Sequence, residues 1–332
     1  MSAPLAASSN PLPFSSIGVD TLVDYLEERR CVLFRDKDDF KRKLTALVAA
    51  GPGGLRCIAD FDFTLSKYFK DDGISRADSC HASLENAHKS GLLPPDYITR
   101  AKALQAHYYP LEIDTTISEC DKFRFMEEWV EKHNALLVES RITPRTIKTV
   151  VSQAIDERRL ILRQGLESFI SILEQHNIPT LIFSAGIADV VEAALNKTLG
   201  VSSLPPFLSL ISNKAIFQDA NDDDSPLVDW SRPALHVLNK RASSFLDHPF
   251  FTEVIAGEKK NLLLLGDSIG DPRMCMGIED DCDTILKVGF LNVSVEERKA
   301  EFLEAYDLLV LGDPELDLVI LPILQLVIIQ LK

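Results

Sequence analysis

The spacing of apolar residues predicts two helices at the start of the chain and short buried strands after them. The first helix begins near Asp20, which we take as its N-cap, and the second ends at the sequence GPGG. Their apolar positions are Leu22, Val23 and Leu26 in the first, and Phe40, Leu44, Leu47 and Val48 in the second. Six later apolar runs are typical of buried strands: LRCIADF, IPTLIFSA, LSLIS, NLLLLGDS, TILKVGFL and DLLVLGD. Helical patterns separate several of these runs, so we expect a parallel α/β sheet flanked by helices.

One long interval interrupts this alternation. Residues 65–177, between the first two strand-like runs, show almost wholly helical patterns. Two apolar faces at helical spacing are Met126, Trp129, Val130, His133 and Leu137, and then Ile147, Val150, Val151 and Ile155. Such a block predicts a helical cap inserted after the first core strand, over the carboxyl edge where open α/β sheets bind ligands. We therefore expect a disordered tail at 1–17, a catalytic core at 18–66 and 166–332, and a cap at 67–165.

Composition narrows the classes of function. The 332 residues carry a net charge of −15, which leaves no basic surplus for binding a nucleic acid polymer. A local cation is still enough to bind one small phosphate ester. The six cysteines lack metal-type spacing, so we expect thiols rather than disulfides. With no secretory signal in the Pro/Ser-rich N-terminus, we expect a cytoplasmic protein. We also expect a monomer.

Two segments leave alternatives open. The apolar C-terminus, LDLVILPILQLVIIQLK, is interrupted by Pro322 and is shorter than the roughly 20 residues of a spanning helix. We expect it to pack on the core, with a membrane or partner contact as the alternative. The acidic run DANDDDS lacks the glycine and glutamate of a calcium loop, so we expect a solvated turn rather than a metal site.

Two groups of polar residues end predicted strands early in the core. Asp60 and Asp62 follow an apolar run, and residues two apart in a strand face the same side. A pair of solvated turn residues is the alternative, but the surrounding sequence is apolar. Ser184, Ala185 and Gly186 lie between a strand and a helix, where a hydroxyl and free backbone N–H groups suit a phosphate oxygen. A plain helix cap explains that second group equally well when it is taken alone.

Two further groups lie in the second half of the chain. Lys240 falls in a segment that we predict to be helical, where a single lysine is usually solvated. Asp267 and Asp271 follow the most apolar strand, and paired acids after a strand indicate a Mg²⁺ site, because this hard cation prefers carboxylate oxygens.

The combined order D-x-D-x-T, S, K and G-D-x-x-x-D resembles the haloacid dehalogenase (HAD) superfamily of phosphotransferases. The resemblance implies a HAD-like (Rossmannoid) fold and Mg²⁺-assisted transfer through an aspartyl-phosphate. It makes Asp60 the nucleophile and Asp62 the acid and base. The metal ligands that it implies are Asp60, the carbonyl of Asp62 and Asp267, with Asp271 orienting the site. Ser184, Ala185 and Lys240 would bind the phosphoryl group.

Further segments narrow the resemblance. Among them, SCHASLEN, HYYPLEID, MEEWVEKHN, IPTLIFSAGI and LLLLGDSIGDPRM look like the cytosolic 5'-nucleotidase III family, also called pyrimidine 5'-nucleotidases, from about residue 50 onward. By position, Glu112 matches the cap glutamate that reads the base, and His81 and Glu85 match the segment lining the base side. His133 replaces a substrate-contacting serine of the family, which puts the base preference in question. The face bearing Trp129 fits the interior of the cap better than base stacking.

The resemblance implies a Mg²⁺-dependent 5'-nucleotidase acting on nucleoside monophosphates. CMP and UMP are the expected substrates, and 7-methylguanosine monophosphate is the alternative. A phosphatase of another small metabolite, such as phosphoserine, is a more distant alternative, because the catalytic motifs occur broadly in the superfamily. A binding module without activity disagrees with the complete set of catalytic-type residues.

Overall fold

The computed structural model describes residues 18–86, 91–114, 116–257 and 259–329. The predicted tail at 1–17 lies outside the described residues. The strands are β1 Val32–Phe34, β2 Leu55–Ala59, β3 Thr180–Ile187, β4 Leu208–Asn213, β5 Ala215–Phe217, β6 Leu227–Trp230, β7 Asn261–Gly266, β8 Thr284–Leu291 and β9 Leu308–Leu311. The helices are α1 Val19–Glu27, α2 Lys37–Ala50, α3 Cys80–Asn86, α4 Pro95–Ile113, α5 Glu119–Glu139, α6 Pro144–Asp156, α7 Leu166–Gln175, α8 Ala188–Leu199, α9 Pro249–Ala256, α10 Val295–Ala305 and α11 Ile320–Ile329.

Seven strands form the main sheet in the order β1-β9-β8-β7-β2-β3-β4. All neighbours are parallel except β1, which pairs antiparallel with β9 at one edge. The strand β2 lies between β7 and β3, and all five of its residues are buried because helices cover both faces of the sheet. This arrangement brings the carboxyl ends of β2, β3 and β7 together at one edge.

The six predicted core strands are confirmed, whereas β1 and the separate β5–β6 hairpin were not predicted. The two early helices are also confirmed as α1 and α2, with the predicted apolar residues buried. Asp20 is not the N-cap of α1, because Gly18 holds that position and Asp20 lies in the first turn. Gly51 ends α2 with a φ of 63°, a left-handed conformation that suits glycine.

Four helices, α3 to α6, lie between β2 and α7, as the helical interval predicts. On α5, Met126 and Leu137 are buried, whereas Trp129 is only partly buried and stacks on Tyr108. The Trp230 indole of β6 donates a hydrogen bond to the backbone oxygen of Asn134 on α5 at 3.1 Å, so the hairpin packs against this insertion. The division at residues 67 and 165 stays a prediction.

The C-terminal helix α11 is buried and packs against α1, α2 and α7, which confirms the expected contact with the core. Within the described part of the chain, no helix is long and apolar enough to cross a membrane. All six cysteines are free thiols, as predicted. The acidic run also behaves as an exposed turn, since Asp223 and Asp224 pair with Lys148 and Arg145 of α6.

Candidate active site

Asp60 is the first residue after β2 and lies at the carboxyl edge of the sheet. Its backbone N–H donates to the oxygen of Leu265 on β7 at 3.0 Å, which continues the strand pairing by one residue. Its side chain is only 6% exposed and forms an ion pair with Lys240, whose Nζ lies 2.6 Å from Oδ1. The fold therefore presents one buried carboxylate directly to a buried cation.

Lys240 joins two acidic groups of the site. Its Nζ also lies 2.7 Å from Oδ1 of Asp271, and the lysine is 3% exposed. The predicted helix around Lys240 is wrong, because the segment forms a turn in which Asn239 bonds the backbone of Ala234 and His236. Burial alone would lower the pKa of Lys240, but the attraction of the two carboxylates is larger and raises it. The lysine therefore stays protonated.

Asp267 and Asp271 follow β7 and complete an acidic cluster with Asp60. One carboxylate oxygen from each of the three lies within 4.8 Å of the others. Asp271 is held rigidly, since its Oδ2 accepts hydrogen bonds from the N–H groups of Asp267 at 3.0 Å and Ser268 at 2.9 Å. Only glycine fits at 266, because a Cβ there would lie 2.4 Å from that of Asp271.

The cluster has the chemistry of a divalent metal site. Burial, followed by repulsion from Asp271 and Asp60, raises the pKa of Asp267 well above its usual range. Burial also raises the pKa of Asp60, although the charge of Lys240 opposes this shift. Crowded, desolvated carboxylates with one lysine between them leave a negative charge that a hard cation such as Mg²⁺ would neutralise.

The carboxylate of Asp62 lies outside this cluster of three aspartates. Its Oδ1 accepts a hydrogen bond from the N–H of Cys80 at the start of α3, at 2.9 Å. The next residue, Phe63, has a φ of 64°, so the chain turns sharply immediately after Asp62. Burial raises the pKa of Asp62, while the bond from Cys80 and the charges of Lys240 and Arg76 oppose the shift.

Ser184, Ala185 and Gly186 lie within β3, which runs to Ile187, rather than between the strand and the helix as predicted, and β3 lies beside β2 in the sheet. The buried Ser184 hydroxyl accepts a hydrogen bond from the Gly186 N–H at 3.0 Å, which leaves its own proton available for donation. Asn213, at the end of β4, holds this loop by donating to the oxygens of Ala185 and Gly186. These contacts fix a hydroxyl and a turn of backbone at the same edge as Asp60.

His81 and His133 lie together within the helical insertion. Their ring centroids are 4.8 Å apart, and Nε2 of His133 is 3.3 Å from the hydroxyl of Tyr97. Burial lowers the pKa of His81 to about 4 and that of His133 to about 3, so both rings are neutral at pH 7. The backbone of Ala185 interacts with His81 and connects this pair to the loop that carries Ser184. Neither Nδ1 has a hydrogen-bond partner among the described residues.

Glu112 lies near the end of α4 and is partly buried. Burial raises its pKa, whereas the charges of Lys122 and Arg76 lower it, so two cations lie near this carboxylate. Glu85 on α3 is also partly buried, and burial raises its pKa as well. The charge of Arg76 acts on both Glu112, the residue predicted to read the base, and Asp62.

Comparison with known proteins identifies the family. The model of the family described as Pyrimidine 5'-nucleotidase (UMPH-1) matches residues 63–328. The chain belongs to the pyrimidine 5'-nucleotidase family. It is therefore a 5'-nucleotidase of the HAD type, and thus a phosphoric monoester hydrolase.

Two relatives and one solved structure illustrate what this chain is similar to. A 7-methylguanosine phosphate-specific 5'-nucleotidase A of Xenopus laevis is 36% identical over 288 residues, which are 87% of this chain and 93% of that protein. A putative cytosolic 5'-nucleotidase 3 of Caenorhabditis elegans is 33% identical over 301 residues, 90% of this chain and 76% of that protein. The crystal structure of cytosolic 5'-nucleotidase IIIB bound to cytidine shares 25% identity with a TM-score of 0.78, covering 92% of this chain and 97% of that one. The expected HAD-like fold is confirmed.

Three contacts in this family member were not predicted. The Cys80 N–H binds Asp62, the Asn213 side chain holds the Ser184 loop, and the Tyr306 hydroxyl donates to the backbone oxygen of Ser268 behind the acidic cluster. The sequence carries a signal for Asn213 alone, since a polar residue ends the apolar strand LSLISN. The other two contacts join segments that are 18 and 38 residues apart, so local patterns do not reveal them.

Proposed function

We propose that this 5'-nucleotidase hydrolyses nucleoside 5'-monophosphates with Mg²⁺ as its cofactor, through a phosphoryl group carried transiently on Asp60. The observation that supports this most strongly is the buried Asp60 carboxylate beside Lys240 and the acidic cluster. Because the site lies at the carboxyl edge of a parallel sheet, the helical insertion is available to hold the nucleoside. A cytoplasmic location is proposed with it, and the expected monomer stays a prediction.

In the first step, Asp60 attacks the phosphorus and the bond to the ribose 5'-oxygen breaks. Lys240 holds Oδ1 of Asp60 at 2.6 Å, and no described residue makes a hydrogen bond to Oδ2, which is therefore available for attack. Asp62 gives its proton to the departing oxygen, and the raised pKa of its carboxyl group favours the protonated form that this requires. The products of this step are the free nucleoside and phosphorylated Asp60.

In the second step, the Asp62 carboxylate takes a proton from water, and the resulting hydroxide attacks the phosphorus. The bond between phosphorus and Asp60 breaks, which releases phosphate and restores the aspartate. Ser184 and Lys240 donate to the phosphoryl oxygens in both steps, where catalysis depends mainly on positioning and electrostatics.

Asp60, Asp267 and the backbone carbonyl of Asp62 are the residues that would hold Mg²⁺. When bound, this ion neutralises the anionic carboxylates and the phosphate, which lets one approach the other. Both oxygens of Asp271 are already engaged, Oδ1 by Lys240 and Oδ2 by two backbone N–H groups. Asp271 therefore orients the site rather than binding the ion directly.

We propose CMP and UMP as the main substrates. The Glu112 carboxylate accepts hydrogen bonds from an amino group, as in cytosine, or from a ring N–H, as in uracil. Burial raises the pKa of Glu112, and the charges of Lys122 and Arg76 oppose this rise, so positive charge already lies near this end of the site. That charge favours a neutral pyrimidine over a base with a fixed positive charge. His81 and His133 are proposed to shape the same end of the pocket.

7-Methylguanosine monophosphate is the second candidate substrate. Several relatives are named as specific for this nucleotide, including those of Xenopus laevis and Homo sapiens. Its base presents both an amino group and a ring N–H to a carboxylate such as Glu112, and its positive charge attracts aromatic faces and carboxylates.

A panel of phosphate esters tests the proposal. The kcat/KM of the purified protein is measured for CMP, UMP, 7-methyl-GMP, GMP and phosphoserine, with Mg²⁺ and with a chelator. We expect kcat/KM for CMP and UMP to exceed that for GMP by at least about tenfold, or about 1.4 kcal/mol, and all activity to require Mg²⁺. A larger kcat/KM for 7-methyl-GMP than for CMP selects the second candidate. Hydrolysis of phosphoserine without hydrolysis of any nucleotide contradicts both.

A further inference from the structure

We propose that Arg76 is a further substrate-binding residue and that its guanidinium binds the phosphate ester of the nucleotide on the side that carries the ribose. This inference rests on the proposed nucleotidase function, which it extends by a residue that neither the motifs nor the acidic cluster includes. Three features support it: the position of Arg76, the way in which its side chain is held, and its unused hydrogen-bond donors.

Arg76 lies in the segment that passes next to Asp62. It pairs with Phe69 in an isolated antiparallel bridge, so the chain folds back on itself between these two residues. Four residues after Arg76, the backbone N–H of Cys80 binds the Asp62 carboxylate at 2.9 Å. The arginine is therefore carried by the same short stretch that fixes the proposed acid.

Two aromatic rings hold the guanidinium in place. The central carbon of Arg76 lies 4.9 Å from the ring centroid of Phe63 and 5.2 Å from that of Tyr68. Phe63 directly follows Asp62, and the rings of Phe63 and Tyr68 are themselves 4.9 Å apart. A guanidinium held against aromatic faces loses little conformational freedom when it binds an anion.

The donors of this guanidinium are not used by the protein. Within the described residues, Arg76 makes no hydrogen bond or ion pair, and its side chain is exposed. It lies against the ring of Phe63, the residue that follows Asp62, so its free donors are on the side of the site that carries the proposed acid. An exposed guanidinium beside the proposed acid, with no protein partner among the described residues, is available to bind an anionic ligand.

A nucleotide is the anionic ligand that suits this position by its chemistry. In the proposed mechanism, the ester oxygen faces Asp62 and the base faces Glu112, so the 5'-phosphate and ribose lie between the two carboxylates. An arginine fork binds phosphate oxygens in preference to sugar hydroxyls, because each hydrogen bond is assisted by charge. In a chain with a net charge of −15, this cation also offsets the repulsion that a dianionic substrate meets.

The test compares Arg76→Ala and Arg76→Lys with the wild type, using Arg124→Ala as the matched control. Arg124 is another exposed arginine of the insertion, and its central carbon lies 5.5 Å from the ring centroid of Phe125. The measurements are kcat and KM for CMP, the inhibition constant of cytidine, and the thermal unfolding midpoint. For Arg76→Ala, we expect KM to rise about tenfold, because one charge-assisted hydrogen bond to the substrate is lost. We expect kcat to stay within about threefold of wild type.

The remaining outcomes separate this role from others. Arg76→Lys should fall between wild type and alanine, and Arg124→Ala should match the wild type. Cytidine has no phosphate and should inhibit Arg76→Ala and wild type equally. If the inhibition constant of cytidine rises as much as KM for CMP does, Arg76 contacts the nucleoside and the proposal is overturned. An unchanged KM, or a fall in kcat alone, overturns it as well. Failure of the nucleotidase function itself would appear separately, as no hydrolysis of nucleotides by the wild type.

Discussion

Asp60, Lys240 and Asp267 show how burial determines chemistry at the scale of single residues. Each is an ordinary ionisable group, but the end of a buried strand or a closed turn buries Asp60 and Lys240 and partly buries Asp267. The carboxyl pKa values rise because the charges are desolvated and crowded, while the lysine keeps its proton because two carboxylates contact it. This arrangement therefore favours cation binding before any substrate arrives.

His81 and His133 provide a prediction about stability and pH. Burial lowers the pKa values to about 4 and about 3, whereas an unfolded histidine titrates near 6.5. The unfolded chain therefore binds these protons first, so the contribution to stability is complete above pH 6.5 and is lost as the pH falls below it. We expect each histidine to remove about 2 kcal/mol from the free energy of unfolding between pH 7 and pH 5.

Urea unfolding at pH 7, 6 and 5 measures this effect. His133→Phe should lose about 2 kcal/mol less than wild type over this range, since the ring is kept but its titration is removed. His107→Phe, at an exposed position of α4, is the control and should follow the wild type. Equal pH dependence in wild type and His133→Phe would show that His133 is accessible to protons in the folded state.

Some residues of the candidate site could be placed from the sequence alone, and others could not. Asp60 and Asp267 directly follow strongly apolar strands and Ser184 lies near the end of one, and the parallel sheet alone places such residues at one edge. Lys240 was assigned to the wrong element, because the turn depends on contacts within residues 234–240 that helical periodicity does not capture. The role that we propose for Arg76 depends on rings at positions 63 and 68 and has no signature in the local sequence.

At the scale of elements, one buried arginine fixes both crossings between the sheet and the helical insertion. Arg163, 1% exposed, donates to the backbone oxygens of Phe63 and Thr64 and pairs with Asp313 at 2.8 Å. Asp313 in turn accepts hydrogen bonds from the N–H groups of Tyr68 and Phe69. The segment after Asp62 is thus held from one side by Arg163 and from the other by Asp313.

Asp313→Asn tests this arrangement. The substitution leaves the Arg163 charge buried without its anionic partner, and we expect the free energy of unfolding to fall by about 3 kcal/mol. Chemical denaturation of the purified variant measures the loss. Asp71→Asn removes an ion pair with Arg158 in the same connection, but both side chains are exposed, so no measurable change is expected. Equal effects of the two substitutions would contradict a special role for the buried pair.

The strands predicted from long apolar runs were correct, whereas the shortest strands were not predicted. β1 has three residues and pairs with β9, more than 270 residues later, so neither its length nor its neighbours identify it as a strand. The β5–β6 hairpin is similarly short and packs against α5 through Trp230. Such elements are stabilised by tertiary contacts rather than by their own sequence.

At the scale of the whole molecule, the sheet and the helical insertion meet on two sides of the candidate site. Arg163 and Asp313 join them at the chain crossings, while Glu119 of α5 pairs with Arg241 and Arg273 beside Lys240 and Asp271. The acidic site therefore lies between a rigid sheet edge and an insertion attached at several points. This geometry suits a small anionic substrate that must be held away from water during phosphoryl transfer.

The substitution Asp60→Asn shows whether Asp60 is the group that attacks the phosphate. Phosphate release from CMP and 7-methyl-GMP is measured with saturating Mg²⁺ for wild type, Asp60→Asn and the exposed control Asp38→Asn, with thermal unfolding to verify the fold. Loss of the nucleophile should lower kcat by roughly 10³-fold or more while the unfolding midpoint stays near that of wild type, and the control should be fully active. A folded Asp60→Asn variant that keeps kcat within about tenfold of wild type would contradict the account.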